Sequence, residues 1–164
     1  MTQMTTRTTS VPETLGRRDR LSQGPNLLFA YGTLQFDDVL KALLGRVPER
    51  ASASAPGYRA AALEGCVYPG LVVRAFGGSA PGVVLTDLSN EEWRILDAFE
   101  DERYNLQEVT LSNGTRGWAY VWPGDGVRVE DWDAEEFAAQ HLSAYAARCA
   151  RIAPALAAGQ PKGE

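Results

Sequence analysis

Four acids stand between Leu96 and Arg103: Asp97, Glu100, Asp101 and Glu102. Their place in the chain is unusual. Ser89-Asn90-Glu91-Glu92 opens a helix with a capping box, the serine hydroxyl and the glutamate carboxylate each satisfying the other's end of the backbone. Trp93, Leu96 and Phe99 recur at three-residue spacing, which predicts a helix to Phe99 or Glu100. Three of the acids then fall at the negative pole of that helix, where Lys or Arg is the ordinary choice. Sequences break local rules most often at functional sites. Like charge and the helix end both disfavour ionisation, and burial beside Phe99 and Tyr104 adds to the effect. A carboxyl with a raised pKa suits general acid/base work near neutrality. The plainer alternative is a solvated acidic turn with Arg103 as partial counterion. These residues alone leave both readings open.

A second segment complements the first. Leu27-Leu28-Phe29-Ala30-Tyr31-Gly32-Thr33-Leu34 is an apolar run too short for a helix and halted by glycine, which reads as a buried strand ending in a turn. Such a turn leaves backbone N–H groups without partners at the mouth of a sheet. Groups of that kind hold carboxylates or developing oxyanions.

Other chemistries lack the residues. The only histidine, His141, sits among Ala, Gln and Leu on a late helix and reads as a packing or surface residue. Cys66 and Cys149 are far apart, form no metal-spacing or redox pattern, and read as small buried hydrophobes. Trp93, Trp118, Tyr120 and Trp122 are most simply core or cross-strand partners. No Ser or Thr nucleophile has a base beside it. Carboxylates, tyrosines and backbone are left to carry any chemistry.

The elements that must position these groups follow from patterning. Asp37 to Leu44 carries apolar residues at helical spacing, with acids at its start, and stops at Gly45. Short β-prone pieces fill residues 51–75, one opening at Gly57-Tyr58 and another running from Leu63 to Tyr68 before Pro69-Gly70. Val83 to Thr86 is a further strand. Asn113-Gly114 lies between two β-prone runs and predicts a hairpin whose second arm is Trp118 to Trp122. Asp133-Ala134-Glu135-Glu136 caps a last helix through Ile152. The order shows no βα alternation and no repeat, so a mixed or antiparallel, curled sheet with helices packed outside it is expected.

Composition sets the bounds. A chain of 164 residues with 45% hydrophobic and 23% charged residues suits one globular domain, placed at residues 25–153. Residues 1–24, rich in Thr, Arg and Ser, read as a disordered leader, and residues 154–164 as a frayed tail. A net charge of −5 without a basic stripe argues against a nucleic-acid partner. No apolar run reaches membrane-spanning length and no signal-peptide pattern is present, so a cytoplasmic location is expected and no membrane partner. The sequence does not set the oligomeric state.

Together the two segments resemble the γ-glutamylcyclotransferase-like superfamily, in its AIG2-like branch. Tyr31-Gly32-Thr33-Leu34 is similar to the family's opening Tyr-Gly-[Ser/Thr]-Leu, and Leu96-Asp97-Ala98-Phe99-Glu100 followed by Tyr104 to its second signature. Tyr68-Pro69-Gly70 also resembles a family pattern, and the likeness spans roughly residues 26–148. Asp101 departs from it, standing where the family commonly has glycine in a turn that left-handed backbone suits. The resemblance implies an α+β fold, a small mixed, largely antiparallel β-barrel with flanking helices. It also implies cleavage of a small-molecule γ-glutamyl substrate by cyclisation, with no metal or cofactor, releasing 5-oxoproline and an amine. Glu100 would then be catalytic, with Tyr31, Gly32, Thr33, Leu34, Tyr104 and Tyr120 binding substrate. A non-catalytic module that recognises an acidic small molecule or peptide end is the rival reading.

Overall fold

The computed structural model describes residues 20–74 and 76–159. Eight strands form one sheet: β1 (Leu28–Ala30), β2 (Arg50–Pro56), β3 (Tyr58–Leu63), β4 (Gly70–Val73), β5 (Ser79–Leu85), β6 (Asn105–Thr110), β7 (Arg116–Val121) and β8 (Val127–Asp131). Four α-helices lie wholly among the described residues: α1 (Asp37–Leu44), α2 (Asn90–Phe99), α3 (Ala134–Gln140) and α4 (Leu142–Ala157). No described helix is long and apolar enough to cross a membrane.

The strand order is β2-β5-β1-β7-β4-β3-β8, with β6 on the other edge of β7. Pairing is antiparallel except that β7 runs parallel to both β1 and β4. β2 and β3 are separated by Gly57 alone, yet stand first and sixth in that order. The sheet must therefore curl so that one bent strand serves both halves. Gly57 makes the corner at φ 84°, a value that favours glycine. Among the described residues no ladder joins β2 to β8, so the sheet is curled rather than a closed barrel.

β1 is buried throughout and pairs Leu28 with Leu85 on one side and with Trp118 on the other. Beyond Trp118, β4 takes over the same edge of β7, pairing Leu71 with Val121. The end of β1 is thus released from β7 where β4 begins, and that fork opens the sheet. Leu28, Leu85, Leu96, Phe99 and Cys149 pack into the main core beneath the helices.

Local expectations fare unevenly. α1 ends at Gly45 in left-handed backbone, the Ser89 capping box forms, and Gly114 turns the β6–β7 hairpin. The piece expected from Leu63 to Tyr68 is instead a loop after β3, turned by Gly65 at φ 74°. The last helix breaks at His141, whose φ of −127° is not helical, giving α3 and α4. β8 was not anticipated because it is an exposed edge with no inward face to alternate. The helix α4 runs through Pro154 to Ala157, since burial of Leu156 holds its last turn to the core where a frayed tail was expected. Residues 160–164 lie outside the described residues, as does the leader over residues 1–19. Arg20, within the expected leader, is 5% exposed and belongs to the fold.

Candidate active site

A cavity of about 470 Å³ lies at the fork between β1 and β4. Its walls are the turn after β1, the loop before β4, the end of α2 with Glu100, the β7 residue Tyr120, and Tyr145 with Arg148 from α4. Tyr31, Gly32, Thr33, Leu34, Glu100, Tyr104 and Tyr120 all line it, so the structure brings the expected site residues together.

The turn after β1 is a single 3-10 turn, Thr33–Gln35, with Gly32 ahead of it and no side-chain cap. Among the described residues, the N–H groups of Gly32, Thr33 and Leu34 donate to nothing. They fit the carboxylate or oxyanion cradle read from sequence. Gly32 is required here for space. A Cβ on it would lie 2.8 Å from Pro69 Cγ. Pro69 is itself fixed by Tyr104, whose hydroxyl donates to its carbonyl at 2.6 Å. The Tyr-Gly and Pro-Gly motifs thus interlock. Gly32→Ala should cost about 1–3 kcal/mol as the stiff proline ring is displaced. It should also depress turnover by moving the turn, as thermal melts and product assays would show.

Glu100 ends α2, its N–H bonded to the Leu96 carbonyl at 3.0 Å and its backbone extended at φ −70°, ψ 143°. It is half-buried, and its charge is felt across the cavity. Burial first, and then Glu100, push the hydroxyl of Tyr31 well above the ordinary tyrosine value. Burial is likewise the largest cause at Tyr104, Tyr120 and Tyr145, with Glu100 adding to each. Cys149 beneath them is pushed up to about 11, again mainly by burial. These groups are neutral near pH 7.

The hydroxyl protons are mostly committed. Tyr31 donates to the Tyr120 carbonyl at 2.6 Å, and Tyr120 to Asp97 Oδ1 at 2.7 Å. Tyr104 and Tyr120 therefore present rings and lone pairs to the cavity instead of the donor hydroxyls expected of them. Tyr145, missed from sequence, differs. Its oxygen accepts from Thr33 at 3.5 Å, and no described residue accepts its proton. Its only sequence signal was the three- to four-residue spacing that places it with Leu142 and Cys149 on one face of α4.

The acidic cluster divides into separate roles. Asp101 is gripped by Arg103, whose Nη2 and Nε lie 2.7 Å and 3.0 Å from its two oxygens, and Tyr68 donates to it at 2.9 Å. Arg103, itself over the Trp122 ring at 4.8 Å, holds the Asp101 carboxyl well below the usual carboxylate range. The counterion reading is therefore right for Asp101. No described non-glycine residue takes a positive φ, so the aspartate fits where glycine was expected without left-handed backbone. A lowered folded-state pKa means that this stability is present above the unfolded value, about 3.9, and is lost as pH falls below it. Asp101→Asn should accordingly flatten the fall in stability between pH 5 and 3, read by denaturant melts. An unchanged slope would show the pair contributes nothing.

Asp97 is 3% exposed and faces Arg20, Nε to Oδ1 at 3.0 Å, in addition to receiving the Tyr120 hydroxyl. It serves the interior. No group of three or more metal-ligating side chains occurs among the described residues.

A curled, mostly antiparallel sheet forked over a cavity that is lined by a helix-end glutamate and a backbone turn defines an α+β class of protein. A family model described as gamma-glutamyl cyclotransferase, AIG2-like, matches residues 28–137, and the chain belongs to that family. AIG2-like protein D of Arabidopsis thaliana is 33% identical over 72% of this chain and 82% of its own. AIG2-like protein C from the same plant is 35% identical over 67% of each. The solution structure of At5g39720.1 from Arabidopsis thaliana superposes with a TM-score of 0.57 at 26% identity, covering 83% of this chain and 94% of that one.

Proposed function

We propose that the protein cleaves a γ-glutamyl amide by intramolecular attack of the substrate's own α-amine. The amine nitrogen bonds to the γ-carbonyl carbon, closing a five-membered ring. The amide C–N bond then breaks, releasing 5-oxoproline and a free amine. Folding the glutamyl chain into ring-closing geometry supplies proximity worth several kcal/mol.

Two proton transfers are needed. The α-amine arrives largely protonated, since such groups titrate near or above pH ~7.7, and must lose a proton to attack. The departing nitrogen must gain one. The observation that carries the assignment is the division of the lining groups. Two carboxylates line the cavity: Arg103 holds Asp101 ionised, and the buried tyrosines around the cavity stay protonated, so Glu100 is the carboxylate assigned to take the proton and return it. The N–H groups of Gly32, Thr33 and Leu34 fit the glutamyl carboxylate or the carbonyl oxygen as charge develops on it. Tyr145, whose oxygen meets the Thr33 hydroxyl at 3.5 Å, supplies a hydroxyl donor beside this turn.

The test is to incubate the protein with a panel of γ-glutamyl amides and follow 5-oxoproline by mass spectrometry. Release from at least one member is expected. Binding of the panel without any release would assign the cavity to recognition alone.

A further inference from the structure

The C-terminal end of α2 has no basic residue of its own in the last turn, and Arg103 is spent on Asp101 and Trp122. Among the described residues, a cation that meets this end comes from 77 residues away. Arg20 donates from Nη2 to the Asp97 carbonyl at 2.9 Å, and from Nη1 to the carbonyls of Asp101 and Tyr104, each at 2.9 Å. Its Nε stands 3.0 Å from the Asp97 carboxylate, and its guanidinium carbon lies 5.1 Å over the Tyr120 ring.

These contacts bracket Glu100. Asp97 is three residues before it, Asp101 is next to it, and Tyr104 is four after. One planar group thus ties the last helical turn to the segment leaving it, and the glutamate sits at the bend between them. Tyr120, the wall of the cavity nearest this clasp, is fixed by the same cluster. Arg20 also lies outside residues 28–137, so the clasp is added by chain that the family match does not include.

We infer that Arg20 is the positioning residue for Glu100, an inference that rests on Glu100 being the group that moves protons. A planar guanidinium can donate to three carbonyls from its two terminal nitrogens while its Nε stands beside a carboxylate as an ion pair, a geometry that a point-charge ammonium does not match. Loss of the clasp leaves Glu100 in the cavity but no longer held to the roughly 0.5 Å that catalytic groups require. Misplacement of about 1 Å costs on the order of a hundredfold in rate.

Arg20→Lys and Arg20→Gly should therefore lower kcat about tenfold to a hundredfold with KM within about threefold, because the cradle after β1 is untouched. Assays run well below each variant's melting midpoint separate this from unfolding. Millimolar guanidinium should restore part of the kcat of Arg20→Gly and leave Glu100→Gln inactive. Hydrogen exchange should quicken at residues 98–104 while the β5 and β7 amides stay protected. Folded variants with kcat within threefold of wild type would overturn the inference and leave the proposed reaction standing. Loss of the fold in both variants would reduce Arg20 to a structural residue. Full turnover in Glu100→Gln would remove both readings.

Discussion

Glu100→Gln is expected to abolish 5-oxoproline release while the protein stays folded. General acid/base catalysis contributes about 10²- to 10⁴-fold, and in the proposed reaction one carboxylate serves both proton transfers. The loss should therefore lie toward the upper end, about 10³-fold or more in kcat. Glutamine keeps the length and shape of the side chain, and Glu100 is only half-buried at a helix end, so little stability is at stake. Binding should survive, because in the proposed reaction the glutamyl end is assigned to the N–H groups after β1 and not to Glu100. A γ-glutamyl amide should bind Glu100→Gln within a few-fold of wild type, measured by calorimetry. The control is Asp101→Asn, which alters the neighbouring charge but leaves the acid/base group, and should lose less than tenfold. No lining tyrosine can substitute, since burial keeps each protonated near neutrality. Near wild-type turnover in Glu100→Gln would end the assignment.

What the sequence made legible was what local chemistry encodes. The capping box at Ser89, the stop at Gly45 and the Asn113-Gly114 turn each write an element boundary in a few residues. The turn after β1 and the place of the glutamate at the end of α2 were readable for the same reason. What stayed hidden depends on contacts between distant residues. Arg20 reads locally as part of a polar leader, and only folding brings it to α2. The split of the acids into a buried ion pair at Asp97, a surface fork at Asp101 and a cavity glutamate cannot be seen from four adjacent carboxylates. Burial decided each, and burial is a property of the fold. Tyr145 was hidden likewise, since a tyrosine on the inner face of a helix is ordinarily core. The exposed strand β8 had no alternation to betray it, with Val129 88% exposed.

The largest stability effect should come from Asp97. Its carboxylate is buried against Arg20 and accepts the Tyr120 hydroxyl, so Asp97→Ala strands a guanidinium in the interior and leaves a tyrosine donor unmet. Removing one partner of a buried pair costs about 3–5 kcal/mol. At about 3 °C per kcal/mol for a domain of this size, the melting point should fall by roughly 10 °C. Asp97→Asn keeps an oxygen for Tyr120 and should cost about half as much. The double variant Arg20→Met with Asp97→Asn discriminates further. For a simple ion pair, removing both charges is often neutral. Here the carbonyls of Asp97, Asp101 and Tyr104 would lose their shared donor at a helix end, so the double variant should recover only part of the loss. Recovery to wild-type stability would mean the three carbonyl bonds hold nothing together. A cost below about 1 kcal/mol for Asp97→Ala would mean the cluster is hydrated, and that the end of α2 is held by its apolar packing alone.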